Sequence, residues 1–185
     1  MAWNLRVWRI AVEAGGFIMF VLDPTTLVGF HTWLSLIAIV AGFPMTAALL
    51  KGHLNPRWNG VFLSTAFAAS ATGYAFPFDR VLPSHIVGAV SLVLIALAGL
   101  ALYAFALRHV WRRIYAITAV LSFYLLVFVL IAQLFLKVPA LHEIAPTQSE
   151  PPFAIAQALA LIVFLILTLV AARRFSAGVP VASAA

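Results

Sequence analysis

The sequence predicts an all-α fold: an integral membrane bundle of six transmembrane helices with both termini cytoplasmic. Three observations lead there. Of 185 residues, 65% are hydrophobic and 9% charged, against roughly 25% charged in an ordinary soluble domain. Lipid must therefore solvate much of the chain. Apolar runs recur at about 7–22, 26–50, 59–76, 85–107, 114–136 and 153–172, and the last five suit the roughly 17–25 residues that a span needs. Finally, charge alternates by side. If all six runs cross, Arg6, Arg9, Lys51, Arg57, Arg108, Arg112, Arg113, Arg173 and Arg174 share one face, and only Arg80 and Lys137 lie opposite. Asp23, Asp79, Glu143 and Glu150 also fall opposite, so the basic face reads as cytoplasmic.

Taken in order, the first run is short and carries Glu13, which has Arg9 four residues earlier as a local partner. The alternative is five spans plus an interfacial N-terminal helix, which would strand Arg6 and Arg9 on the wrong side. No small-x-small cleavage site follows, so a signal peptide is disfavoured. The second run starts after Asp23-Pro24, and Pro44 inside it predicts a kink. The third places Ser64, Ala68 and Thr72, and likewise Ala69 and Gly73, at four-residue spacing. Such stripes let helix backbones approach closely in lipid, which predicts a central helix. The fourth opens after "PFDRVLPS" with Ser84, Gly88, Ser91 and Gly99. The fifth follows "RHVWRR" and carries Thr118, Ser122 and Gln133. The favoured reading of these hydroxyls is that they bond their own helix backbone. The sixth run ends before a small, polar tail, "SAGVPVASAA", which reads as disordered. Trp3, Trp8, Trp58 and Trp111 sit at the basic ends as an interfacial belt would. The whole chain, 1–185, reads as one domain.

The connector "KVPALHEIAPTQSEPPFAIAQ", residues 137–157, packs four prolines into 21 residues. It reads as a stiff, shaped loop whose part 137–152 caps the outer face, because a flexible linker would be rich in Gly and Ser.

Depth counting at about 1.5 Å per residue collects polar side chains on that face. His31, Tyr74, His85, Gln133 and Gln157 share one level, with Arg80, Lys137, Gln148 and Glu150 just above. Intramembrane polar groups are costly and tend to face a cavity. These nine are the candidate ligand-binding residues of an outward-facing pocket for a small molecule, an ion or a quinone head group. Lys137 or Arg80 would hold an anionic group, and His31 or His85 would exchange protons near neutral pH. The competing reading is that they snorkel or bond loop carbonyls.

No cofactor is the favoured expectation. His31 to His53 and His85 to His109 span about 33 and 36 Å of helix, which argues against two stacked haems. One outer b-type haem on His31 and His85 is the minority reading. A zinc or copper site on His31, His85 and His142 has acceptable ligands but no motif spacing. There is no cysteine, no G-x-S-x-G, no H-E-x-x-H, no phosphate loop and no dinucleotide fingerprint. The enzyme reading is accordingly not favoured. The net charge of +6 is explained by orientation without nucleic acid. The alternative of another class is an accessory subunit whose small-residue faces contact partner membrane helices or further copies of the chain.

At "SATGYAFPFDRVLPSHIVGAVSL" and "LKVPALHEIAPTQSEPPFAIAQ" the chain resembles a group of proteobacterial inner-membrane proteins to which no activity attaches. The resemblance covers roughly residues 30–172. It implies a bacterial inner-membrane setting and nothing about mechanism. It also implies that Thr72, Gly73, Pro77, Pro83, His85, Lys137, Pro139, Pro146, Gln148, Glu150 and Pro151 belong to the group's pattern.

Overall fold

The computed structural model describes residues 23–76 and 83–177. The run 7–22, Asp79, Arg80 and the tail from 178 lie outside the described residues. Helices α1 (Leu27–Leu50), α2 (Pro56–Thr72), α3 (Pro83–Gly99), α4 (Val110–Lys137), α5 (Pro139–Ile144) and α6 (Pro151–Ala177) follow one another, with no strand among the described residues. A 3₁₀ turn, Gly73–Ala75, extends α2, and a π turn, Leu100–Ala104, extends α3. By length and composition α1, the stretch His85–Ala104, α4 and α6 can each cross a membrane. With its 3₁₀ turn α2 reaches about 30 Å, roughly a hydrocarbon core.

Local chemistry sets the helix ends. Thr26 caps α1 by accepting the Gly29 N–H at 3.0 Å. Position 29 admits only glycine, because a Cβ there would lie 1.8 Å from the Asp23 carbonyl oxygen. Asn55 caps α2, and Pro56 occupies its first turn, where its missing N–H costs nothing. α1 runs unbroken through Pro44. The α3–α4 connection is strained, because Ala106, Leu107 and His109 all have positive φ. Left-handed backbone costs a non-glycine residue roughly 1 kcal/mol. Leu107, only 9% exposed, anchors the turn in the core, and Phe105 stacks on Trp111 with ring centroids 3.7 Å apart. Ala106 is exposed and packs against little. Ala106→Gly is therefore expected to raise the thermal midpoint, by up to about 1 kcal/mol of stability. A lower midpoint would show that the turn is not limited by backbone strain.

The helices pack most extensively as two pairs, α1 with α2 and α4 with α6, with α3 bridging α2 and α4. α1 closes the bundle against α4 and α6. Alanines 38, 41, 66, 98, 101, 116, 119 and 171 are fully buried, which is how backbones approach where lipid offers no hydrophobic drive. The small-residue stripe differs from the expected one. On α2, Ala66 and Ala69 are buried, whereas Ser64 is exposed and donates to its own helix at Gly60 O. Thr118, Ser122 and Thr168 also donate to carbonyls one turn back. On α6, Leu159, Ile162, Val163, Ile166 and Leu169 are each more than half exposed, as a lipid-facing surface requires.

Seven of the eight lysines and arginines among the described residues lie at one end of the bundle. There Arg112 Nε donates to Phe175 O at 2.9 Å, and Arg174 donates to Leu50 O at 3.2 Å. We call this the arginine end and its opposite the connector end. Four buried oxygens, Thr46 Oγ1, Asn59 Oδ1, the Tyr115 hydroxyl and Gln157 Oε1, have no hydrogen-bond partner among the described residues. An unmade buried hydrogen bond costs about 1–3 kcal/mol. Tyr115→Phe is thus expected to leave the thermal midpoint unchanged or raised. A drop of several degrees would reveal a buried water or other partner for that hydroxyl.

Candidate functional site: a cavity at the connector end

α1 and α4 meet where the backbone of Gly42 abuts the Phe123 ring. Phe43, Phe62 and Phe164 pack edge-on to that ring with centroids 5.1, 6.1 and 5.1 Å away. Toward the connector end from this contact, α1, α2, α3 and α4 enclose a cavity of about 450 Å³. That volume falls in the usual range for small-molecule sites, about 300–1,000 Å³.

α1 contributes Val28, His31, Thr32, Ser35, Leu36 and Ile39, at spacings that put them on one helix face. α2 and its 3₁₀ turn contribute Ala69, Ser70, Gly73, Tyr74 and the adjoining Phe76, and α3 contributes His85, Val87, Gly88 and Ser91. From α4 come Leu125, Leu126, Val129, Leu130, Gln133, Leu134 and Lys137. The site deepens from exposed Tyr74, Gln133 and Lys137 to buried Ile39, Ala69 and Ser91. The mouth is polar and the inner part apolar.

Five of the nine candidate residues therefore line one cavity: His31, Tyr74, His85, Gln133 and Lys137. His31 Nδ1 lies 3.0 Å from Thr72 Oγ1. The Thr72 hydroxyl hydrogen is directed to Ala68 O at 2.8 Å, so its lone pair accepts from the imidazole Nδ1–H. In the neutral ring this leaves Nε2 as the acceptor. Phe76 packs edge-on to the ring at 5.3 Å. The Tyr74 hydroxyl donates to His85 O at 2.6 Å, and the two rings tilt together at 5.8 Å. Gly88 lies beside that Tyr74 ring, where a Cβ would make an ordinary van der Waals contact at 3.4 Å.

Gln148, Glu150 and Gln157 lie elsewhere, and Arg80 lies outside the described residues. Gln148 Nε2 donates to Ala132 O at 2.7 Å, and Gln157 Nε2 donates to Phe128 O at 3.1 Å. Phe153 packs edge-on to Phe135 at 5.4 Å. At about 100° per residue, Phe128, Ala132 and Phe135 face more than a quarter-turn from the centre of the cavity stripe of α4. No residue from Val138 to Gln157 is among those lining the cavity. The connector that was expected to act as a lid instead staples α6 to the other flank of α4.

Within the connector, Gln148 adopts φ +58°. Partial burial pushes the Glu150 pKa up, but hydrogen bonds from the Thr147 hydroxyl and from backbone N–H groups of the turn outweigh it and hold it below the ordinary glutamate value. A depressed carboxyl stabilises the folded turn above its unfolded pKa, ordinarily about 4.3, and that contribution fades as pH falls through the lower folded value. The protection of the backbone amides between Ala145 and Glu150, taken relative to the intrinsic exchange rate at each pH, is accordingly expected to fall below about pH 4. In Glu150→Gln it should be low at every pH. Protection independent of both would mean that the turn is held by its prolines alone.

Sequence reasoning did not single out Thr32 or Ser35, nor the Ser70–Ser91 hydrogen bond of 3.0 Å that joins α2 to α3 in the cavity wall. The four-residue spacing of His31 and Ser35, and of Gln133 and Lys137, was the available signal. His31 and His85, the pair that a single haem would require, do line one cavity. Among the described residues no three or more His, Cys, Asp or Glu side chains come together to hold a metal ion, which removes the His31, His85 and His142 zinc or copper site. Neither protein-family models nor curated proteins nor solved structures yield a match to this chain.

Proposed function

We propose that this chain is a six-span protein of the bacterial inner membrane that binds a small molecule in a pocket facing the periplasm. The carrying observation is the 450 Å³ cavity with His31, Tyr74, His85, Gln133 and Lys137 among its lining residues. Orientation is supported by the basic residues concentrated at the opposite end, which the positive-inside rule assigns to the cytoplasm. Both termini would then be cytoplasmic, with residues 7–22 forming the first span. The pocket's polar mouth would orient a head group, and its apolar depth would exclude water.

Native mass spectrometry of the protein in mild detergent tests this reading, with Thr32→Trp as the blocked control. Thr32 bonds only the Val28 carbonyl of its own helix, at 2.7 Å, so a tryptophan there fills the cavity without breaking an interhelix bond. The expected result is a copurifying adduct lost in Thr32→Trp. A bare wild-type mass, with no stabilisation by any compound in a thermal-shift screen, would sink it. The absorption spectrum of the same sample decides the haem reading, because a Soret band abolished in both His31→Ala and His85→Ala would replace the small molecule with haem.

A further inference from the structure

We propose that the ligand is an uncharged single-chain amphiphile with a hydroxyl head, the hydroxyl held between His31 and Gln133 and the chain running down toward Ile39 and Leu125. The proposal rests on reading the cavity as a binding site and adds the chemical class of what it holds.

Hydrogen bonding selects the head. The His31 Nδ1–H is committed to Thr72 Oγ1, which lies 2.8 and 3.1 Å from the Ala68 and Ala69 carbonyl oxygens and so offers the ring only a lone pair. An imidazolium would find no carboxylate among the described lining residues. The neutral ring presents Nε2 as an acceptor, and Nε2 has no hydrogen-bond partner among the described residues. The Gln133 amide makes no hydrogen bond among them either, and it can both donate and accept. Height brings the two groups together. From the contact of Gly42 with Phe123, His31 stands 11 residues up α1 and Gln133 stands 10 residues up α4, about 16 and 15 Å. Both line one cavity at one level. A hydroxyl donates to Nε2 and accepts from the Gln133 amide. A carboxylate has no proton for Nε2. An ammonium would bury a charge that no carboxylate among the described lining residues meets.

The middle of the cavity selects the tail. Its hydroxyls look polar in the sequence but are turned away from a ligand. Ser35 donates to His31 O at 2.9 Å, Thr32 donates to Val28 O, and Ser70 donates to Ser91. What these helices offer the ligand there is mostly carbon, continued on α4 by Leu126, Val129 and Leu130. A polyol or nucleotide would lose its hydration against that surface without replacement, whereas an alkyl chain loses nothing.

Shape selects the number of chains. From Val28 to Ile39 along α1 is 11 residues, about 16 Å. Dividing about 450 Å³ by about 16 Å leaves a mean cross-section of roughly 28 Å², room for one extended hydrocarbon chain. The contact of Gly42 with Phe123 closes the floor just below Ile39. A two-chain lipid does not fit this slot.

The test is equilibrium binding of radiolabelled 1-decanol to the full chain in amphipol, competed by unlabelled 1-decanol, methyl nonyl ether and undecane. These three match in length and differ in head: the alcohol donates and accepts, the ether only accepts, and the alkane does neither. Saturable binding that Thr32→Trp abolishes is expected. The alcohol-to-ether affinity ratio should fall about fivefold in His31→Phe, and the ether-to-alkane ratio about as far in Gln133→Leu, the worth of one net hydrogen bond. Each ratio compares the same two probes, so their partitioning into amphipol cancels between variants. Gln133→Leu breaks no hydrogen bond among the described residues, and it decides alone if His31→Phe, which loses the Thr72 contact, fails to fold. Ratios that neither substitution changes, with binding still blocked by Thr32→Trp, would overturn the hydroxyl head and leave the small-molecule pocket standing. Cyclododecanol bound as tightly as 1-decanol would overturn the single chain. Absence of saturable 1-decanol binding would overturn the proposal outright. The native-mass adduct, measured separately, then decides whether the pocket itself survives.

Discussion

Gly42→Ala is expected to loosen the whole bundle, and Gly42→Val to prevent its stable assembly. A Cβ at position 42 would sit 2.5, 2.6 and 2.8 Å from three atoms of the Phe123 ring. That ring has no room to retreat, being 1% exposed and packed by Phe43, Phe62 and Phe164. α1 and α4 must therefore separate. Overpacking of this kind costs about 1–3 kcal/mol for one added group, and the second and third carbons of valine add to it. Each kcal/mol lowers the midpoint of a chain this long by about 2–4 °C. Phe123→Leu is expected to rescue Gly42→Ala in part, a coupling that distant sites would not show. Unchanged thermal unfolding of Gly42→Ala would mean that α1 and α4 do not meet here. The same contact forms the cavity floor, so Gly42→Ala should also weaken ligand retention in proportion to the helix displacement.

Arg112→Ala is expected to release the end of α6, and Arg112→Lys to recover little of the loss. Arg112 is 8% exposed. Its Nε donates to Phe175 O at 2.9 Å, and its guanidinium carbon lies 4.4 Å above the centre of the Phe175 ring. A hydrogen bond to a charged group contributes about 1.5–3 kcal/mol, and a cation over an aromatic face about 0.5–2 kcal/mol. Lysine is a point charge that lacks both the Nε–H and the planar stacking surface. Limited proteolysis should therefore open the chain near Phe175 in both variants, and the thermal midpoint should fall by similar amounts. If lysine restored wild-type protection, charge alone would be at work and the geometric account would fail. Nearby, a Cβ at Gly52 (φ +80°) would lie 3.3 Å from Arg174 O, so three segments interlock at this end.

Arg112 illustrates the boundary between what was legible and what was not. Its charge marks one end of the bundle, and the sequence suffices for that. Its placement against Phe175, 63 residues away, cannot be read from local pattern. The same division runs through the candidate site. His31, Tyr74, His85, Gln133 and Lys137 were brought together by depth counting, because helical rise converts residue number into height. Gln157 was assigned to that level and Gln148 just above it, but both point to the other flank of α4. Height is one coordinate, and rotation about the helix axis is another. The two glutamines instead meet the Ala132 and Phe128 carbonyls, where they hold the connector and α6 in place.

By itself, the sequence determined that this is an all-helical chain with long apolar helices, and which end of the bundle collects the basic charge. Each of these follows from composition, length and caps, which act within a few residues of chain. Only the tertiary structure decided which helix faces meet, that α1 to α4 diverge above the Gly42–Phe123 contact to leave a cavity, and that the connector stands beside that cavity without lining it. In water, an apolar stripe would have announced the buried face of each helix. These helices are apolar nearly all round, lipid rewards no face over another, and the choice falls to the close fit of small residues against neighbours far away in sequence.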